Sequence, residues 1–182
     1  MKRLFDIVFS FIAIAVFALP ALVISSVLAC IEKHPVLFKQ ERLGRHKRMF
    51  KILKFQTMVN NVPTRTGRLL RQTGLDEIPQ FLNVLKGDMS IVGPRALTLF
   101  DICRLGWYDS YHEIRWELKP GITGFAQLYG GQHRKTSWFW DKRYIQNHNI
   151  LIDMGVIAIS FLMNMFGKTR IRKIVFQKIT QT

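Results

Sequence analysis

Two adjacent carboxylates, Asp76 and Glu77, stand in the stretch Arg71-Gln72-Thr73-Gly74-Leu75-Asp76-Glu77-Ile78-Pro79-Gln80 of an otherwise strongly basic chain. The pattern predicts that they sit in the first turn of a helix continued by Phe81-Leu82-Asn83-Val84-Leu85 and stopped at Gly87, with Pro79 tolerated near the start. Carboxylates at the positive end of a helix, with Arg68, Arg71 and Arg95 as candidate neighbours, stay ionised at neutral pH. An ionised carboxylate can act as a nucleophile or as a metal ligand. The plainer reading is structural: Thr73 and Asp76 have the spacing of a capping box, and acids are common in first helical turns.

Other basic residues could serve the same chemistry. Lys51 and Lys54 lie in Met49-Phe50-Lys51-Ile52-Leu53-Lys54-Phe55, either as the solvated side of a strand or as contacts to phosphates. Gly93-Pro94 fixes the backbone ahead of Arg95, whose guanidinium can grip a phosphate in a bidentate fork or form an ordinary surface ion pair. Lys119-Pro120-Gly121-Ile122-Thr123-Gly124 is a glycine-rich turn without the Gly-Lys-Ser/Thr ending of a nucleoside-triphosphate loop. The five histidines have no zinc-like spacing, and Cys30 and Cys103 define neither a disulfide framework nor a metal site.

The elements that must position these residues begin with the membrane. From Ile7 to Ile31 there is no charge, a run of roughly 25 positions or about 37 Å of helix. The run is too long for a signal peptide and lacks a small-residue cleavage pattern, so it is expected to be retained. Basic residues flank both ends, Lys2 and Arg3 before it and Lys33, Lys39, Arg42 and Arg45 after it. A simple span would put one basic flank outside; a segment bent at Pro20, entering and leaving by the cytoplasmic face, satisfies both. Carbonyls freed by the bend would need partners such as Ser25 or Ser26.

The 182 residues carry a net charge of +15 with 48% hydrophobic residues, a combination that points to a membrane surface. Nucleic acid is the rival partner for so basic a chain, but a nucleic-acid-binding domain has no need of a long apolar run. One domain follows the membrane segment. It is expected to hold a β-hairpin around Val36–Gly44 and Met49–Phe55, a short amphipathic helix at Thr66–Arg71 and a strand near Ile91. Trp107, Tyr108, Tyr111 and Trp116 suit a helix resting at headgroup level, with core packing as the alternative. Ser137-Trp138-Phe139-Trp140 and Ile150–Phe166 resume the membrane theme, and the basic tail Lys168–Lys178 suits anionic lipid. The fold class is α+β: an N-terminal re-entrant helix-break-helix (1–33) and a cytosolic, membrane-associated catalytic domain (34–182) with a small β-hairpin and several short amphipathic helices at the interface.

In order, the membrane segment, Phe38-Lys39-Gln40-Glu41-Arg42-Leu43-Gly44, Leu75-Asp76-Glu77-Ile78-Pro79-Gln80, Asn83-Val84-Leu85-Lys86-Gly87-Asp88-Met89-Ser90, Val92-Gly93-Pro94-Arg95 and Pro120-Gly121-Ile122-Thr123-Gly124 resemble the bacterial sugar transferases, the monotopic phosphoglycosyl transferases. The resemblance covers nearly the whole chain and is most specific from Leu75 to Arg95. It implies transfer of a sugar-1-phosphate from a UDP-sugar to a polyprenyl phosphate, usually undecaprenyl phosphate, with release of UMP, at the cytoplasmic face of the bacterial inner membrane. It implies Asp76 as the nucleophile of a covalent phosphosugar intermediate, Glu77 as its partner, and Mg²⁺ bound at the site with Asp76 as a ligand. Lys51, Lys54, Arg71, Pro94 and Arg95 are the expected substrate contacts. The implied partners are the UDP-sugar, the polyprenyl phosphate and membrane lipid rather than nucleic acid, and a homodimer is compatible with the sequence. The chain departs from the family pattern at Gln56-Thr57, where Arg-Ser is usual, at Ala96, where Pro is usual, and at Leu19 before Pro20, where Ser is usual. Two other classes remain as alternatives: a non-catalytic basic scaffold of glycan assembly, and a single-span protein with a nucleic-acid-binding domain.

Overall fold

The computed structural model describes residues 1–130, 134–167 and 171; His133 and most of the basic tail lie outside the described residues. Helix α1, Lys2–Ser26, runs on into a π-helical turn, Val27–Ile31, closed by Glu32 N–H donating to the Val27 carbonyl at 3.1 Å. The expected break at Pro20 does not interrupt the helix, which continues through it to Ser26; a proline removes one helical bond and can bend a helix without ending it. Ser25 and Ser26 do donate to carbonyls, but to those of Ala21 and Leu22.

One stripe of α1 faces the rest of the protein. Asp6, Ser10, Ala13, Ile24 and Leu28 are buried, and Phe17 and Ala21 pack on the same side, giving steps of three and four residues. Leu4, Val8, Phe11, Ile12, Val16 and Leu19 are exposed on the remainder of the helix. Both ends of the stripe dock on one body. Arg3 donates to the carbonyls of Val84 and Leu85, while Ile24 and Leu28 join Phe55, Leu70 and Ile78 in one apolar cluster.

The hairpin appears as expected: β1, Leu37–Leu43, pairs antiparallel with β2, Met49–Phe55, from Leu37 opposite Phe55 to Leu43 opposite Met49. A second, minimal hairpin joins β3, Met58–Val59, to β4, Val62–Pro63. Asn60 and Asn61 turn its corner with positive φ, as residue types that tolerate that conformation. Helix α2, Arg65–Thr73, is capped by the Thr64 hydroxyl, which accepts from Gly67 N–H at 2.9 Å. Helix α3, Gln80–Lys86, ends at the left-handed Gly87.

The short strand β5, Ser90–Val92, pairs in parallel with β6, Gly121–Thr123, so the glycine-rich turn serves as a strand edge. A Cβ on Gly121 would fall 2.1 Å from the Gly93 nitrogen, which is why the two loops can close so tightly only with glycine there. Between them lie α4, Leu99–Leu105, with a capping box made by Thr98 and Asp101, and a 3₁₀ segment, Ser110–Glu117. Helices α5, Arg134–Asn147, and α6, Ile150–Phe166, complete the described fold. The aromatic stretch divides between its two readings: Trp107 and Trp116 are buried in a cluster with Trp138, and Tyr108 and Tyr111 are exposed.

Buried polar contacts hold α1 to the body at its N-terminal end. Asp6 Oδ1 accepts from the Ser90 hydroxyl at 3.0 Å and from Ile91 N–H at 3.1 Å. Lys2 is ion-paired with the buried Asp153 of α6, whose other oxygen accepts from the Tyr144 hydroxyl at 2.7 Å. Burial is the main cause of a raised Tyr144 pKa, with the Asp153 carboxylate adding to it, so the phenol stays protonated and donates.

Candidate functional site

The carboxylate pair does not open a helix. Asp76 and Glu77 occupy a single 3₁₀ turn, Leu75–Glu77, wedged between α2 and α3, which corrects the expected place in the first turn of a helix and gives no support to the alternative of a Thr73–Asp76 capping box. The Thr73 hydroxyl donates backward to the carbonyls of Leu69 and Leu70, and Gly74 takes a left-handed φ of 74° that ends α2. That reversal starts a new turn at Leu75. A Cβ on Gly74 would meet the Asn164 Nδ2 of α6 at 2.6 Å, so the turn before Asp76 rests directly against α6.

Asp76 is buried, with 8% of its surface exposed, whereas Glu77 lies nearer the surface and accepts from Lys54 Nζ at 2.8 Å. Lys54 is brought there by Asn83, a buried residue whose role sequence reading missed. Its side chain accepts from Leu53 N–H at 3.0 Å and donates to the Lys51 carbonyl at 2.8 Å, fastening α3 to β2. An Asn among the apolar residues Phe81, Leu82, Val84 and Leu85 was the available signal, since buried polar side chains need partners.

The other expected contacts are distributed more widely. Lys51 lies three positions from Lys54 on β2, hence on the opposite face of the hairpin, across from Glu41. Arg71 Nη1 donates to the Met58 sulfur at 3.1 Å. Pro94 is fully buried, and its carbonyl accepts from Gly121 N–H at 2.9 Å. Arg95 lines a cavity with Arg42, Asp101 and Arg104, whose lining includes neither Asp76 nor Glu77.

The backbone of Arg95 is fixed from below by a buried pair. Arg115 donates to the Arg95 carbonyl and, through Nε, to Asp141 Oδ2 at 3.2 Å, and its guanidinium lies 5.0 Å from the Trp116 ring centroid. Burial lowers the Arg115 pKa and raises that of Asp141, each opposed by the other's charge.

Among the described residues, no three His, Cys, Asp or Glu side chains converge as a ready-made metal cage. Mg²⁺ needs no such cage, because it keeps several waters and is held through one or two carboxylates together with substrate phosphates. The adjacent carboxylates of Asp76 and Glu77 fit that donor set.

A basic α+β body, an apolar N-terminal helix docked along it and a carboxylate pair on a fixed turn define the architecture. The chain belongs to the bacterial sugar transferase family, whose profile matches residues 1–167. It is 36% identical over 178 residues to the uncharacterized sugar transferase EpsL of Bacillus subtilis (strain 168), covering 88% of this chain and 85% of that protein. It is 36% identical over 186 residues to the exopolysaccharide production protein PSS of Rhizobium leguminosarum bv. phaseoli, covering 86% and 91% respectively. A third relative, the UDP-N-acetylgalactosamine-undecaprenyl-phosphate N-acetylgalactosaminephosphotransferase of Aeromonas hydrophila, is 32% identical over 189 residues. That match covers 92% of this chain but 44% of the relative, so the chain spans less than half of that longer protein.

Proposed function

We propose that this chain transfers a sugar-1-phosphate from a UDP-sugar to undecaprenyl phosphate, with Asp76 as the nucleophile. The observation that carries the reading is a buried Asp76 on a turn fixed by Gly74, beside a Glu77 held by Lys54, in a chain whose relatives include named UDP-sugar and undecaprenyl-phosphate transferases.

In the first step, a carboxylate oxygen of Asp76 attacks the phosphorus that bears the sugar. The bond from that phosphorus to the oxygen of UMP breaks, and UMP leaves with the electron pair. The resulting acyl phosphate is attacked by an oxygen of the lipid phosphate, which forms the lipid-linked diphosphate and restores the Asp76 carboxylate. Two steps through one intermediate give ping-pong kinetics.

Both substrates are anions, so charge must be neutralised before a carboxylate can approach phosphorus. Lys54, paired with Glu77, supplies one cation beside the pair. Asp76, with Glu77, would hold Mg²⁺, which when bound screens phosphate oxygens as a Lewis acid. Glu77 orients the turn through Lys54.

The same reading assigns α1 to the bilayer as a re-entrant element. The reading is supported by the docking of both ends on one body and by the apolar exposed face. The body then sits at the headgroup plane on the cytoplasmic face, where lipid phosphate and soluble nucleotide sugar meet.

The test is UMP release from a panel of UDP-sugars with undecaprenyl phosphate and Mg²⁺ in detergent, comparing the parent with Asp76→Asn. Release that requires the lipid, Mg²⁺ and Asp76 supports the proposal and names the sugar. An equally active Asp76→Asn removes Asp76 as nucleophile, and a parent inactive with every sugar moves the non-catalytic scaffold to the front.

A further inference from the structure

The cavity beside Arg95 has a composition that the carboxylate pair does not explain. Its volume is about 130 Å³, room for a small oxyanion where a water molecule takes about 30 Å³. Three guanidiniums, of Arg42, Arg95 and Arg104, and one carboxylate, of Asp101, line it, leaving two uncompensated positive charges. The buried Ser137 contributes to the same wall, and Leu97 and Leu105 supply its apolar part.

Each arginine is held differently. Arg42 donates through Nη1 to the Ala96 carbonyl at 3.1 Å and to Asp101 Oδ2 at 3.3 Å, and through Nη2 to Gln40 at 2.5 Å. Its Nε–H is buried with no hydrogen-bond partner, an unpaired donor of the kind that ordinarily finds one. Arg104 reaches Asp101 Oδ1 at 3.5 Å from the last turn of α4 and is 46% exposed. Arg95 is fixed through its backbone carbonyl and lines the cavity.

Two further facts bear on the ligand. Arg42 lies opposite Phe50, four residues along β2 from Lys54, so its backbone stands roughly 13 Å from that of the lysine on Glu77. Neither Asp76 nor Glu77 lines the cavity. The first turn of α4, which carries the lining residue Asp101, exposes Leu99 and Phe100, the latter by 74%.

We propose that Arg42, Arg95, Arg104 and Ser137 form a second anion site that binds a phosphoryl group, separate from the phosphates handled at Asp76. Arginine forks match phosphate oxygens in pairs, the serine hydroxyl donates to a third oxygen, and a dianion cancels the surplus charge. A phospholipid headgroup and a soluble phosphate carry the same group. Leu99 and Phe100 would receive the acyl chains of the first and are of no use to the second. The site requires no chemistry at Asp76.

The test is calorimetric titration of the full chain in detergent with inorganic phosphate and with dihexanoyl phosphatidic acid, using parent, Asp76→Asn, Arg104→Gln and Ser137→Ala. Saturable binding is expected in the parent, unchanged in Asp76→Asn, and about tenfold weaker in Arg104→Gln, the effect of one lost charge-assisted hydrogen bond. Ser137→Ala, which removes only a hydroxyl, should weaken it in the same direction and keeps the test open if the arginine variant fails to fold. Tighter binding of the lipid than of phosphate, lost on Phe100→Ser, assigns the site to a headgroup; equal binding assigns it to a soluble phosphate. The proposal is overturned if the parent shows no saturable binding, if Arg104→Gln and Ser137→Ala bind like the parent, or if binding disappears in Asp76→Asn alone, which would place the anion at the carboxylate pair.

Discussion

Lys54 Nζ meets Glu77 Oε1 at 2.8 Å, joining the end of β2 to the turn that carries Asp76. Both side chains are partly exposed, so the pair contributes little to stability, within about 1 kcal/mol. Its role in the account is to place a cation where phosphate charge accumulates. Lys54→Met should leave thermal unfolding nearly unchanged and lower kcat for UMP release by roughly a hundredfold, in the range for removal of one electrostatic donor. A variant with parental kcat would detach Lys54 from the reaction.

Gly74 is expected to be the least replaceable residue around the turn. Alanine there must adopt a left-handed backbone, at about 1–2 kcal/mol, and its Cβ would also press on Asn164. Gly74→Ala should lower the unfolding midpoint, and adding Asn164→Ala should recover the steric part and leave the backbone part. Differential scanning fluorimetry of the single and double variants separates the two.

The hairpin, α2 and the stop at Gly87 were legible because each is written locally, in alternation, in amphipathic spacing and in glycine. The turn holding Asp76 was misread for an equally local reason. Thr73 and Asp76 have capping-box spacing, yet Gly74 between them breaks the helix, and a glycine five residues before a proline was the clue. Contacts such as Lys2 with Asp153 and Asp6 with Ser90 were out of reach. They join residues more than 80 positions apart, and nothing in either local pattern names the partner. The long apolar helix was legible from the charge-free run, whereas its continuity through Pro20 was not, because a proline can bend a helix without ending it.

Asp6 is a buried carboxylate that satisfies a hydroxyl and a backbone N–H on β5. Asp6→Ala strands both donors and should destabilise by about 1–3 kcal/mol. Asp6→Asn retains an acceptor oxygen and should lose less. Chemical unfolding in a fixed detergent measures the order, and an equal loss in the two variants would contradict the role given to Oδ1.

The capping box of α4 gives a pH prediction. Burial raises the Asp101 pKa, but the Thr98 backbone and hydroxyl and the charges of Arg42 and Arg104 outweigh it and hold the carboxyl below its usual value. A depressed folded pKa means the stabilisation is complete above the unfolded value, about 3.9, and is lost as pH falls through the folded one. Asp101→Asn should therefore be less stable than the parent at pH 7, by about 1 kcal/mol, and the two should converge as the pH drops below about 4. Denaturation midpoints of both proteins from pH 7 to pH 3 check it, and a constant gap would contradict the assignment.

The central claim is that Asp76 carries the phosphosugar between the two substrates. Its most direct test is intact-protein and peptide mass spectrometry after mixing the protein with a turned-over UDP-sugar and Mg²⁺, with undecaprenyl phosphate withheld. The account predicts one equivalent of UMP released, a mass gain of one sugar phosphate on the peptide containing Asp76, and loss of that gain when the lipid is added. No adduct under turnover conditions, or an adduct on another residue, would contradict it.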